Sequence, residues 1–213
     1  MNIVVFGATG DVGSRVVREA LLRGHKVTAV IRDQAKINHV PNGAATRVLD
    51  VNEPGAVLAA LTGQDLAVSA IRPVDGKEYL LPELTKRILD ASIQTHTRVL
   101  IVGGAANLLM PDGSGHTVLT APGFLPDDVR PIAAACFKQF AACADMAEAD
   151  WSYFSPPAML MPGIRTGKYR RGTDMLLTDS QGESKLSMED FSVAMLDEAE
   201  SPSLNNRRIT VAY

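Results

Sequence analysis

Cysteine is scarce in this chain: 213 residues carry two, Cys136 and Cys143. They stand seven apart in an alanine-rich stretch that reads as helix. That spacing sets both on one face about two turns apart, too far to bond to each other, so reduced, packed thiols are expected. Histidine is nearly as sparse. The four, at positions 25, 39, 96 and 116, show no metal-ligand spacing and none adjoins a cysteine, so no metal is expected. Neither sign of charge is in excess, with 21 Lys and Arg against 24 Asp and Glu for a net charge of −3. That balance argues against nucleic acid or an anionic membrane as the main partner. No apolar run is long enough to span a bilayer and no signal peptide precedes the first apolar run, so a cytoplasmic protein is expected. Repeats, low-complexity segments and clear linkers are also lacking. What remains is 46% hydrophobic and 21% charged residues, an ordinary globular composition. The length suits one domain over residues 1–213 with a substantial core.

The informative stretch is at the start. Ile3, Val4, Val5 and Phe6 form an unbroken apolar run, as in a strand buried on both faces of a parallel sheet. Gly7, Gly10 and Gly13 follow, and then Val12, Val16, Val17, Ala20 and Leu21 fall on one helical face. Strand, glycine turn and helix together make the geometry of a dinucleotide phosphate site. The first glycine turns the chain, the second admits the pyrophosphate, and the third lets the helix pack close to the strand. The helix N-terminus offers free N–H groups and partial positive charge to the phosphates. The spacing is G-x-x-G-x-x-G. Glycines also serve ordinary strand-to-helix turns; the position after a β-run and before an amphipathic helix favours the phosphate site.

Strand and helix patterns then alternate. Strands are expected at 26–31, 44–49, 66–70 and 98–102, and helices at 54–61 and 80–94, with the first helix ending near Arg23 and Gly24. This is an α/β pattern: a doubly wound parallel sheet, Rossmann-like, with helices on both faces. Residues 1–105 read as the cofactor half and 106–213 as substrate-side loops, helices and closing strands. Ligands of such sheets bind at the carboxyl ends of the strands. Arg32 follows the second strand, where an arginine can pair with the 2′-phosphate of NADP, so NADP(H) is preferred and NAD(H) stays possible. Asp33 either serves a ribose or caps the short helix after it. Asp50 and Val51 either border the adenine or, for Asp50, turn the chain toward the next helix.

The second half is less regular. Residues 107–131 read as a long loop, functional or mobile, able to close over a substrate. A helix is expected at 131–148, a strand at 151–155 ending in Pro156 and Pro157, a basic loop at 163–171, a Ser187–Asp190 helix cap, and a last strand at 208–212. The basic loop either attracts an anionic substrate such as a flavin phosphate or is a solvated turn. His116 and Ser114 are weak candidates for a proton donor, and solvated loop residues otherwise. Met159 and Met161 are expected to pack.

The series Gly7-Ala8-Thr9-Gly10-Asp11-Val12-Gly13, Val30-Ile31-Arg32-Asp33, Val48-Leu49-Asp50-Val51, Val102-Gly103-Gly104-Ala105, Ser155-Pro156-Pro157 and Arg165-Thr166-Gly167-Lys168-Tyr169 resembles the atypical short-chain dehydrogenase/reductases. The nearer relatives are the NmrA-like proteins and the flavin reductase/biliverdin-IXβ reductase group. The resemblance implies that Gly7, Thr9, Gly10, Asp11, Val12 and Gly13 lie at the pyrophosphate and Arg32 at the adenosine phosphate. It further implies Asp50 and Val51 at the adenine, Ala70, Ile71 and Arg72 beside the adjacent ribose, Gly103 and Gly104 near the nicotinamide, and Pro156 and Pro157 as the wall against it. The superfamily's usual pair is a tyrosine four residues before a lysine, as acid or base and its partner. Here the lysine is Lys138, and Ala134 stands where the tyrosine belongs. Lys138 either holds the ribose or is a solvated helix lysine. No catalytic residue is therefore assigned.

Flavin-type reduction tolerates that loss, because hydride can pass directly to a stacked ring. The expectation is an NAD(P)H-dependent reductase of a flavin-like small molecule. Its rivals are a non-catalytic NmrA-like dinucleotide sensor with an unknown protein partner and an NAD(P)-dependent epimerase or dehydratase. Monomer and homodimer are both open.

Overall fold

The computed structural model describes residues 1–203 and 208–213. In chain order these form β1 (Asn2–Phe6), α1 (Asp11–Leu22), β2 (Lys26–Ile31), β3 (Ala45–Val48), α2 (Ala56–Leu61), β4 (Leu66–Ser69), α3 (Leu81–Thr95) and β5 (Arg98–Val102). Then follow α4 (Arg130–Ala144), β6 (Trp151–Ser155), β7 (Met159–Met161), β8 (Arg170–Gly172), β9 (Lys185–Ser187), α5 (Met188–Glu200) and β10 (Arg208–Ala212).

The main sheet among the described residues runs β3-β2-β1-β4-β5-β6-β10-β8. Every neighbouring pair is parallel except β10 with β8. The chain starts at β1, works outward to β3, and returns to lay β4 on the other side of β1. The β1–β4 junction is thus the switch point of a doubly wound sheet, where ligands bind beyond the strand ends.

The apolar run of β1 has a direct physical meaning. Ile3 and Val5 enter one core with Val16, Val17 and Ala20 of α1 and Phe191 and Met195 of α5. Val4 and Phe6 enter the other, with Leu61 of α2, Ile88 and Leu89 of α3 and Cys143 of α4. All four β1 side chains are fully buried, each stabilising the fold by about 1.5–3 kcal/mol. A strand with helices on both faces has no solvent side to carry polar residues.

Several details differ from the sequence-based expectation. The expected basic loop runs into β8, and its arginines are engaged by the protein itself. Arg165 pairs with Glu19 (2.7 Å) and Arg171 with Glu198 (2.7 Å). The Asp190 carboxylate meanwhile accepts from Thr166 N and Gly167 N, both at 2.7 Å. The loop is therefore neither a free anion trap nor a plain solvated turn. Met159 and Met161 do not pack: they are 40% and 55% exposed. In β7 they share one face while Leu160 turns inward to the core, as strand alternation requires. The long loop is not an open flap. Leu109 bridges Thr117 and Met175, and Leu108, Val118 and Leu176 form a small core of their own. The following helix starts at Arg130 and stops at Ala144, short of the expected 148.

Candidate functional site: the carboxyl edge of the sheet

Parallel strands bring their carboxyl ends to one edge. Along it, in spatial order, come Asp50 and Val51 after β3, Arg32 after β2, Gly7 after β1, Ala70 after β4, Gly103 after β5 and Pro156 after β6. With about 4.8 Å between strands, this edge spans roughly 24 Å. Residues far apart in sequence therefore line one crevice, with the glycine turn at the switch point.

Each glycine of that turn has its own role. Gly7 has φ +77°, and a Cβ there would stand 2.4 Å from the Ala70 carbonyl oxygen. Ala70 N in turn donates to Phe6 O at 2.9 Å, which draws the β1 and β4 ends together. A Cβ on Gly13 would meet Gly7 O at 2.1 Å, so α1 packs directly on the turn. Gly10 differs, because the nearest atom to its Cβ would be Gly7 O at 3.3 Å and no other lies within 4 Å. Its open side is what a phosphate group needs for close approach. The N-terminus of α1 at Gly10 has no side-chain cap, which leaves its first N–H groups available to an anion. These observations fit a dinucleotide pyrophosphate.

At the ends of β2 and β3 two carboxylates make short-range bonds. Asp33 Oδ1 accepts from Ala35 N at 2.9 Å and caps the 3₁₀ turn Gln34–His39. Asp50 Oδ1 takes Asn52 N and Asn52 Nδ2, both at 2.8 Å; the helix that follows begins only at Ala56. Arg32 is exposed at the end of β2 and Val51 is half-buried.

At the other end, Tyr153 lies beneath the Gly103–Gly104 floor. Its hydroxyl accepts from Gly104 N (3.1 Å) and donates toward Gln139 Oε1 (3.0 Å) and Cys136 O (3.1 Å). Gln139 Nε2 donates onward to Thr85 Oγ1 at 2.9 Å. Burial pushes the phenol well above its usual range, so it is a neutral structural group. Sequence reasoning passed over this residue; its signal was only a tyrosine two residues from the end of a buried strand. Tyr169 bonds Asp197, and Tyr213 bonds Asp190. Tyr79 is 70% exposed on the turn before α3.

Arg72 is exposed beyond β4, and its charge is felt at the Cys136 thiol. Cys136 adjoins Gly104, where a Cβ would stand 2.8 Å from its Sγ. The ends of β4, β5 and α4 thus converge. Burial raises Cys136 to about 11 and Cys143 to about 12, so both thiols are unreactive near neutral pH. Both cysteines are free. Lys138 is exposed, whereas Ala135, Cys136, Gln139 and Cys143 make the buried face of α4. His116 and Ser114 stay in the turn next to Asp112, where Ser114 N binds Asp112 Oδ1 at 3.0 Å. That turn is tied to the segment after β8 through Leu109 and Met175. No helix among the described residues is long and apolar enough to cross a membrane.

Comparison with known proteins agrees with this geometry. A family model described as NAD(P)H-binding matches residues 7–201. The chain is 33% identical to YwnB, an uncharacterised protein of Bacillus subtilis (strain 168), over 99% of this chain and 98% of that protein. A solved structure from Bacteroides thetaiotaomicron, provisionally named an epimerase, superposes with a TM-score of 0.88 at 34% identity, covering 100% of this chain and 96% of that one. Another from Streptococcus pneumoniae, provisionally named an NADH-flavin reductase, gives a TM-score of 0.85 at 27% identity, covering 100% and 99%.

Proposed function

Because the chain belongs to the NAD(P)H-binding family, we propose that it is a reductase that uses NADPH to reduce a flavin or another flat conjugated acceptor. The bound nicotinamide supplies the hydride. The chain's own part is to bind, orient and exclude water. In this reading the free N–H groups of Asp11, Val12 and Gly13 and the Thr9 hydroxyl hold the pyrophosphate, and Gly7 and Gly10 leave it room. Arg32 pairs with the adenosine phosphate, and Asp50 and Val51 border the adenine. Ala70, Ile71 and Arg72 border the adjacent ribose. Gly103 and Gly104 form the floor under the nicotinamide, and Pro156 and Pro157 its wall. Lys138 is assigned no role. The NADPH preference is supported by Asp33, whose carboxylate is engaged as a cap and so leaves Arg32 as the first free group after β2.

The observation that carries the choice of reaction is the burial of Tyr153. A carbonyl reduction or epimerisation needs an acid or base within reach of the substrate. The phenol beside this floor is instead locked below it by Gly104, Cys136 and Gln139. A conjugated ring that accepts hydride can take its proton from solvent, so the reaction does not require that phenol. The provisional reductase name of the Streptococcus pneumoniae protein supports this reading; the epimerase name of the Bacteroides protein points elsewhere.

The test is NADPH oxidation by the purified chain, with NADH in parallel, across FMN, riboflavin and a panel of quinones. Turnover with a flavin or quinone, faster with NADPH, is the expected result. Tight dinucleotide binding without turnover would replace the reductase with a dinucleotide sensor that acts on a protein partner. A requirement for a sugar nucleotide, with the cofactor returned unchanged, would replace it with an epimerase.

A further inference from the structure

α1 and α5 lie side by side on one face of the sheet, where Val16, Val17 and Ala20 share a core with Phe191 and Met195. Each leads into a strand that runs parallel to its neighbours, β2 and β10, so each helix begins at the carboxyl edge. Arg15 stands one turn into α1 and serves two partners. Its Nη1 donates to the Asp11 carbonyl oxygen at 2.7 Å and its Nε to Glu189 Oε1 at 2.6 Å. Glu189 Oε2 accepts from Gly163 N at 2.7 Å. One carboxylate therefore joins the first turns of α1 and α5 to the segment that follows β7. The two side chains are 18% and 25% exposed, which sets this pair apart from weak, fully solvated surface pairs.

The acceptor of the Arg15 bond matters. The Asp11 carbonyl shares one planar peptide with the Val12 N–H, a group assigned above to the pyrophosphate. A cation on the carbonyl side polarises that peptide and strengthens the donor on its other side. Ser14 Oγ adds a longer bond to the same oxygen, at 3.4 Å. Glu189 fixes the guanidinium, so the peptide is oriented before any anion arrives. The far end of the link is equally fixed. A Cβ on Gly163 would stand 2.9 Å from Ser187 Cβ, and Ser187 Oγ donates to Ile164 O at 3.0 Å. Arg18, one turn further along α1, is exposed and makes no ion pair among the described residues.

We propose that Arg15 is a positioning residue for the dinucleotide, acting on the pyrophosphate through the Asp11–Val12 peptide, and that Glu189 holds Arg15 in place and ties it to the segment running on from Pro156 and Pro157. This role rests on the dinucleotide reading above and deepens it. Arg15 acts at the pyrophosphate, which NADPH and NADH share, so it strengthens both alike and leaves the choice between them to other groups.

The experiment measures dissociation constants of NADH, NADPH and ADP-ribose for the full chain, Arg15→Gln, Glu189→Gln, the double variant and Arg18→Gln. Arg15→Gln is expected to weaken all three ligands alike, by about tenfold, the scale of a lost charge-assisted hydrogen bond. Glu189→Gln keeps an acceptor for Gly163 N but offers Arg15 no charge, and should weaken them at least threefold. The double variant should lose no more than Arg15→Gln alone, because Glu189 acts through Arg15. Arg18→Gln removes an equal charge from the next turn and should leave NADH within twofold of the parent. In the ligand-free chain the Val12 amide nitrogen resonance should move in Arg15→Gln and hold still in Arg18→Gln, a signature that a change in stability alone does not give. Unchanged affinity in Arg15→Gln overturns the proposal, as does a loss confined to NADPH, an equal loss in Arg18→Gln or an unmoved Val12 resonance. Additive losses in the double variant overturn the Glu189 link. If the parent still binds dinucleotide and turns over an acceptor in those cases, the reductase reading survives. A parent protein that binds no dinucleotide overturns both.

Discussion

Gly103 lies flat against the ring of Tyr153: a Cβ on Gly103 would stand 2.0 Å from Cζ and 2.4 Å from the hydroxyl oxygen. The ring is fully buried and held by Gly104, Cys136 and Gln139, so it has nowhere to retreat. Gly103→Ala is therefore expected to destabilise the protein by about 3 kcal/mol, read from urea denaturation. Tyr153→Phe is expected to cost about 1–3 kcal/mol by leaving buried partners unpaired, with turnover within threefold of the parent. A hundredfold fall in kcat/KM at unchanged stability would make Tyr153 a catalytic acid and reverse the account of the site.

The two outer glycines of the turn and the middle one should separate fold from binding. Gly13→Ala drives a methyl group into the Gly7 backbone and is expected to lower Tm by more than about 5 °C. Gly10 has φ −78°, a conformation alanine adopts freely, and a methyl group there meets only Gly7 O, at 3.3 Å, which a shift of a few tenths of an ångström relieves. Gly10→Ala should shift Tm by less than about 3 °C yet weaken NADPH and NADH alike by at least tenfold. Calorimetry with binding titrations would check this, and equal affinity in parent and variant would remove the pyrophosphate from the turn.

Arg32 stands exposed after β2. Reversing its charge in Arg32→Glu should weaken NADPH far more than NADH, because the NADH ribose hydroxyls can donate to the new carboxylate. Parallel fluorescence titrations suffice. An equal loss for both cofactors would show that Arg32 does not read the phosphate.

Acid should loosen the contact between α1 and the 162–169 segment. Glu19 accepts from Arg165 at 2.7 and 2.8 Å and from Arg23 at 2.8 Å. The Arg165 bonds lead, burial opposes them, and Arg23 adds to them, so the carboxyl sits below its ordinary value. A depressed folded-state value means that the stabilisation is complete above the unfolded-chain value and is lost as pH falls through the folded one. The denaturant midpoint should therefore drop as pH falls below about 4. Glu19→Gln should be less stable at pH 7 and should drop less over that interval. Parallel curves for the two proteins would exclude Glu19 as a source of the acid response.

Much of this was legible from local pattern. The apolar β1 run, the three glycines and the alternation through β5 carry their information within a few residues, and the sheet repeats it five times. The same reasoning failed where partners come from far along the chain. The arginines of the 163–171 stretch looked like a charge cluster, yet Arg165 meets Glu19, 146 residues away. Met159 and Met161 looked like core residues because hydrophobicity does not say which face of a short strand is covered.

The sequence by itself determined the sheet's first five strands, the glycine turn and the absence of a tyrosine before Lys138, since each follows from residue type at short spacing. Only the tertiary structure decided what shares a site. It locked Tyr153 beneath Gly103 and Gly104, gave Asp33 to a cap, and drew Arg165 to Glu19. Those outcomes depend on which groups meet across the fold, and a buried polar or charged group is defined by its neighbours in space.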